Sequence, residues 1–84
     1  NAYSILNGEY EIIEAEIIET SELINKELKN SNLPDEIRIG AVLRGEEVVI
    51  PRSNFIFKKE DVVVFLAKKD FLQIVENMFR ISSI

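Results

Sequence analysis

The chain contains no cysteine and no histidine, and it has only three glycines. Without cysteine there is no disulfide framework and no thiolate metal site. Without histidine as well, a zinc site, a Ser-His-Asp triad and a Cys-His nucleophile pair are excluded together. What is left for chemistry is carboxylates, lysines, arginines, two tyrosines and a few hydroxyls. The lack of cysteine also fits a reducing compartment. Gly8, Gly40 and Gly45 stand alone, forming neither a P-loop nor a dinucleotide fingerprint. No apolar run approaches the roughly 20 residues that cross a bilayer. The longest, Val62 to Ala67, has the length of a buried strand. No basic flank followed by an apolar core opens the chain, so no signal peptide is expected. The first residue is not methionine, and the chain is expected to be a piece of a longer protein.

What is present points to one small domain. A chain of 84 residues has room for a single core. At this size roughly 60–65% of the unfolded surface is buried, so self-association would add to a modest stability. The apolar fraction is 46% and isoleucine and valine dominate it, which favours strands over a helical bundle. The net charge of −5 is uneven: residues 1–36 hold nine acids against Lys26 and Lys29, whereas the remainder holds six acids and eight bases. An acidic front half argues against nucleic acid as a partner and against direct insertion into, or binding to, an anionic membrane.

Residues 1–10 read as a lead-in from a preceding domain, with Asn7-Gly8 as a turn signal, and residues 11–84 as the domain proper. In Glu11 to Ile18 the alternation of Ile13, Ala15 and Ile17 with Glu14 and Glu16 favours a half-buried strand over a helix. Thr20-Ser21 suggests a helix N-cap, with Leu23, Ile24 and Leu28 on one face and Asn30 to Pro34 as the stop. From Ile37 to Arg44 the period is two, which places Arg38 and Arg44 on one face. Gly45 reverses the chain into Val48-Val49-Ile50, and Pro51 ends that arm. Phe55-Ile56-Phe57 is a further strand or a plug. Val62 to Leu66 is a buried strand, and Asp70 with Gln73 caps a last helix whose stripe is Phe71, Leu72, Ile74, Val75, Met78 and Phe79. The expected fold is α+β: a two-layer domain in the order β-α-β-β-(β)-β-α, a mainly antiparallel sheet packed against two helices.

Few constellations could carry chemistry. Glutamates 9, 11, 14, 16 and 19 could gather on Ca²⁺ or Mg²⁺, but no Asp-x-Asp-x-Asp-Gly loop surrounds them, and a solvated strand face is the plainer reading. Glu46-Glu47 and Glu60-Asp61 are adjacent in turns, with nothing to separate their acidities for acid–base work. Arg38 and Arg44 are too far apart to chelate one phosphate. Each could meet an anion across a symmetric dimer or pair with a neighbouring glutamate.

The run Ile39-Gly40-Ala41-Val42-Leu43-Arg44-Gly45-Glu46-Glu47-Val48-Val49-Ile50-Pro51 closely resembles the central hairpin of TrkA C-terminal (RCK-C) domains. Lys59-Glu60-Asp61 followed by Val62 to Leu66 looks like that family's Pro-Gly-Asp turn and next strand, with Asp61 keeping the acid. Ser21 to Leu28 is similar to the first-helix pattern Ser-x-Leu-x-Gly-Lys-x-Leu, with Asn25 where glycine is usual. The likeness covers about residues 11–80. From Ile39 to Phe79 it is nearest to the second C-terminal domain of proteobacterial members.

The resemblance implies a role without a reaction: a dimerising regulatory domain of a cytoplasmic protein, peripheral to the inner face of the plasma membrane, that gates a potassium-translocating membrane subunit. NAD(H) or adenine nucleotides are expected only in an N-terminal RCK domain that this chain lacks, and no cofactor or metal in this fragment. In some relatives the domain dimer binds cyclic di-AMP through an Asp-Ile-Arg-like segment after the first helix. Here that region reads Asn30-Ser31-Asn32-Leu33-Pro34, so those ligand residues are not carried over. A ligand or dimer seam is expected around Leu33, Ile37, Arg38 and Arg44. The alternatives are a sensor of a cyclic dinucleotide or divalent cation, or the same domain from another channel or antiporter. The helix stripe around Met78 and the hairpin face around Arg44 are both available for dimerisation.

Overall fold

The computed structural model describes residues 2–79 and 81–83. Strands β1 (Ala2–Ile5), β2 (Tyr10–Ile17), β3 (Ile37–Arg44), β4 (Glu47–Val49) and β5 (Val62–Lys68) precede helix α1 (Leu72–Phe79) and a short strand β6 (Ile81–Ser83). They form one antiparallel sheet in the order β1-β2-β5-β3-β4, with β6 also paired to β2. The α+β class and the mainly antiparallel sheet are as expected, but there is one α-helix where two were expected. Ala2–Ile5, read from sequence as lead-in, pair with Tyr10 to Ile13 around a turn at residues 6–9.

The alternation in β2 does what a period of two dictates. Ala15 and Ile17 are fully buried, and the residues between them are not. Across the ladder Val63, Phe65 and Ala67 of β5 bury the same face. Leu23, Phe57 and Val75 close over that face, so the whole core lies on one side of the sheet. Phe55-Ile56-Phe57 turns out to be a plug and not a full strand, with one isolated β-bridge from Ile56 to Glu27. Burying the Phe57 ring completely contributes about 2–3 kcal/mol, and it meets Phe55 edge to face at 5.2 Å.

The expected first helix is not formed. Residues 22–25 are turns and only Leu28–Asn30 make a 3-10 turn. Leu23, Ile24 and Leu28 still reach the core, but the backbone bonds outward instead of to itself. Asn25 N–H donates to Phe57 O at 2.8 Å, Leu28 N–H to Phe55 O at 2.8 Å, and Phe57 N–H to Lys26 O at 3.1 Å. Backbone pairing with the plug segment has displaced the i to i−4 ladder, and Asn25 at φ +63° breaks any helix there. Ser21 Oγ accepts from Leu23 N–H at 3.1 Å, capping a turn where a helix N-cap was expected. The last helix is present, but Asp70 does not cap it. A 3-10 turn, Lys69–Phe71, leads in without any side-chain cap, and Gln73 donates to Asn77. Val75 is buried as expected, while the side chains of Met78 and Phe79 lie outside the described residues.

Strand β3 departs from a strict period of two. Ile37 and Val42 are both fully buried although five residues separate them. The ladder to β5 shifts between Ile39 and Ala41, so Gly40 is an inserted residue, a β-bulge. From there the alternation is inverted: Arg44 shares a face with Val42, whereas Arg38 lies on the opposite one. The expectation that the two arginines share a face is therefore corrected. The β3–β4 hairpin closes through Gly45-Glu46, with Gly45 at φ +61° and Glu46 at ordinary φ. That pattern is a two-residue turn of type II′, which wants glycine first.

Two positions where the family resemblance carries glycine prove to be left-handed: Asn25 at φ +63° and Glu60 at φ +74°. Asparagine tolerates this region, and the Asn25 side-chain carbonyl accepts from Lys58 Nζ at 3.0 Å. Glutamate has no such excuse, and the exposed Glu60 side chain makes no hydrogen bond or ion pair among the described residues. Glu60→Gly should therefore stabilise the fold by about 1 kcal/mol, and Asn25→Gly by less or not at all. Urea unfolding of the two variants beside the parent checks this; a Glu60→Gly variant that unfolds earlier would refute it.

Candidate functional site

The four residues expected at a seam fall into two places. Leu33, Ile37 and Arg38 line one shallow cleft of about 280 Å³, together with Leu28, Lys29 and Ser31. Its floor is apolar, because Ile37 is fully buried and Leu28 and Leu33 pack on the core. Its rim holds two loosely engaged cations. Lys29 Nζ stands 3.9 Å from Glu27, and Arg38 Nη2 stands 3.8 Å from an exposed Asp35, its Nη1 donating to Ile37 O at 3.2 Å. The wall is shaped by the 3-10 turn: Ser31 Oγ donates to Leu28 O at 2.6 Å, and Asn32 takes φ +57° to turn the chain towards β3.

Arg44 is elsewhere. It ends β3 about 20 Å along the strand from Arg38 and, after the bulge, on the other face. Its Nε donates to Asp61 Oδ1 at 2.8 Å, and its Nη2 donates to Asp61 Oδ2 at 2.7 Å and to Ile56 O at 2.9 Å. The guanidinium lies 4.9 Å over the Phe55 ring. Asp61 Oδ2 also accepts from Lys58 N–H at 2.8 Å, and its side chain is 1% exposed. Donating to the Asp61 carboxylate holds the Arg44 guanidinium's pKa above its ordinary value, against a smaller opposing effect of burial. This forked, charge-assisted pair ties three segments together: the end of β3, the plug at 55–57 and the start of β5. Arg44 is thus committed to an acid of its own chain, and that acid is Asp61, seventeen residues on; the glutamate opposite it in the hairpin, Glu47, is not the partner.

The carboxylate rows do not assemble a site. Cross-strand register puts Glu11 on the core side and Glu14 and Glu16 on the other. Among the described residues no three acidic side chains come together as a metal group. Glu46 and Glu47 are exposed, and Glu60 is exposed beside a buried Asp61. Sequence reasoning singled out Arg44-Gly45 and Asp61 separately and missed that they meet. The available signal was position: Asp61 directly precedes the strand that pairs with the end of β3.

Truncating Arg44 would leave a buried carboxylate with one backbone donor. Discounted for the 43% exposure of the Arg44 side chain, Arg44→Ala should cost about 2 kcal/mol. Arg44→Lys should recover less than half of that, since an ammonium cannot present the fork. Equilibrium denaturation reads both; a loss below about 0.5 kcal/mol in Arg44→Ala, the scale of an exposed ion pair, would show the fork to be incidental.

A sequence model of the TrkA-C domain matches residues 12–80. The chain is similar to the Trk system potassium uptake protein TrkA of Azorhizobium caulinodans, 40% identical over 80 residues that make up 95% of this chain and 18% of that protein. It is also similar to the protein of the same name from Vibrio alginolyticus, 35% identical over 84 residues, 95% of this chain and 18% of that one. A Trk system potassium uptake protein TrkA homolog from Archaeoglobus fulgidus is 36% identical over 64 residues, 76% of this chain and 15% of the relative. The chain spans less than a fifth of the length of these curated relatives. The matched stretch runs from β2 through α1 and takes in both the cleft and the Arg44–Asp61 fork, and the chain belongs to the TrkA-C domain family.

Proposed function

We propose that this domain is a dimerising, non-catalytic regulatory module of a TrkA-type potassium-uptake protein. In that reading it works in the cytoplasm at the inner face of the membrane, and couples the ligand state of the regulator to a potassium-translocating membrane subunit. The observation that carries the reading is the likeness to proteins named for potassium uptake over nearly the whole chain. The chemistry supports it: the best-organised charged pair, Arg44–Asp61, is spent on holding the fold. No helix among the described residues is long and apolar enough to cross a membrane, so in this reading contact with the membrane subunit runs through protein surfaces. Nicotinamide or adenine nucleotide binding belongs, on the same reading, to a domain outside this chain. The names of the relatives favour a Trk system over a channel or antiporter.

A second reading, a small-ligand sensor, is favoured by one feature: the apolar cleft rimmed by Lys29 and Arg38, whose pairs at 3.9 and 3.8 Å are long enough to yield to an anion. Sedimentation equilibrium and calorimetric titration separate the two. The regulatory module is expected to be dimeric at high micromolar concentration and to give no heat with cyclic di-AMP, ATP, NADH or Ca²⁺. A monomer at that concentration counts against the module, and heat with a nucleotide that disappears in Arg38→Ala would establish the sensor.

A further inference from the structure

Two segments lie over the core without entering a ladder of the sheet, residues 21–33 and residues 53–60. Their backbones pair with each other. Asn25 N–H donates to Phe57 O at 2.8 Å and Phe57 N–H to Lys26 O at 3.1 Å. Leu28 N–H donates to Phe55 O at 2.8 Å and Lys29 N–H to Ser53 O at 2.9 Å. Lys58 Nζ adds a bond to Asn25 Oδ1 at 3.0 Å. Lifting either segment alone would break all of these bonds, whereas lifting both together breaks none of them. The two segments are therefore one strap.

The strap is hinged to the sheet at its ends. Ser21 N–H donates to Ile18 O at 3.0 Å, Ile37 N–H to Pro34 O at 3.0 Å and Glu60 N–H to Ile17 O at 2.9 Å. Between the hinges, the side-chain hydrogen bonds from sheet to strap among the described residues come from Arg44 or from the carboxylate that it holds. Arg44 Nη2 donates to Ile56 O at 2.9 Å, and its guanidinium lies over the Phe55 ring. Asp61, gripped by the Arg44 fork, accepts from Lys58 N–H. Residues 55, 56 and 58 are thus all fastened through one arginine at the end of β3.

Release of the strap leaves a great deal standing. Leu23 and Phe57 are its fully buried apolar side chains, and every other one among the described residues stands on a strand or on α1. The ladders of the sheet are untouched by its removal. Glu60, at the hinge, is held at φ +74°, and this left-handed backbone is strain that release relieves. The strap also carries one wall of the cleft. Leu28, Lys29, Ser31 and Leu33 belong to it, whereas Ile37 and Arg38 belong to β3. The cleft is complete only while the strap is down.

We infer that residues 21–33 and 53–60 are a latched strap that opens as one unit over an intact sheet, with the Arg44–Asp61 fork as its latch, and that its closing assembles the cleft at Leu33. A ligand of the cleft then binds the closed strap alone and adds to the latch by mass action. The device is independent of what the cleft accepts and of how subunits associate.

The test is native-state hydrogen exchange on the 84-residue chain at low urea concentrations. The Asn25, Leu28, Lys29 and Phe57 amides are expected to share one opening constant, at least about tenfold above that of the β2–β5 ladder. Their common dependence on urea is expected to be measurable but less than about half that of the ladder, because less surface is exposed. Arg44→Ala is expected to speed all four by one factor of about thirty, although Arg44 touches none of these four N–H groups. Four unrelated opening constants, or no dependence on urea, would mean separate fraying and overturn the unit. A dependence equal to that of the ladder overturns it as well, since the strap would then leave only with the whole fold. A shared opening that Arg44→Ala leaves unchanged overturns the latch. If Arg44→Ala does not fold, Arg44→Lys decides the latch, by a smaller common factor or by none.

Discussion

Strand β3 must bury Ile37 at its start and Val42 five residues later on the same side of the sheet, and a period of two does not allow that. The extra residue at Gly40 resolves the conflict. Its consequence reaches beyond packing, because every side chain after it changes face. Arg44 is thereby carried to the core side, where Asp61, directly ahead of β5, waits with a buried carboxylate. Had the strand stayed regular, Arg44 would point to the opposite face. Asp61 would then be buried with a single backbone donor, an arrangement costing about 2 kcal/mol. One inserted residue therefore decides whether the fork forms, and the fork adds a side-chain tie to the backbone bonds that seat the segment bearing Phe55 and Phe57.

That segment explains the missing helix. An isolated two-turn helix is not stable in water, and it forms in a protein only when tertiary packing favours it over other conformations. Here the competitor is strong. The chain at 25–29 finds backbone partners at 53–57, with four N–H to O bonds of 2.8 to 3.1 Å. It still delivers Leu23, Ile24 and Leu28 to the core. The apolar spacing that suggested a helix was therefore a true burial signal attached to the wrong backbone. Spacing alone cannot separate the two, because it reports which side chains are buried and not which carbonyl each N–H finds.

The sheet was far more legible. Ile13, Ala15 and Ile17 against Glu14 and Glu16, and the unbroken run from Val62, carry their period and burial in a few adjacent letters. The hairpin needed only Gly45 between two apolar arms. What stayed hidden depended on distant partners: the bulge, which shows itself only in the register against β5, and the Arg44–Asp61 contact, which spans the plug. The seam residues were legible by halves. Leu33, Ile37 and Arg38 share a cleft because they are close in sequence, whereas Arg44 was grouped with Arg38 on a parity that Gly40 reverses. The glycine departures at Asn25 and Glu60 were visible as letters, and their meaning as left-handed positions emerged only from the backbone.

Cleft and fork, though at opposite ends of β3, are joined by a continuous physical path. Arg44 holds the Ile56 carbonyl and lies over the Phe55 ring. Phe55 accepts from Leu28 N–H at 2.8 Å. Leu28 opens the 3-10 turn that forms the wall of the cleft, and accepts there from Ser31. Each link is a short hydrogen bond or ring contact outside the sheet ladders. Elements of that kind open before the sheet does. The sheet core, with its long-range ladders, is the part that stays fixed. A domain whose loops form one connected strap over a rigid sheet can change the strap without unfolding.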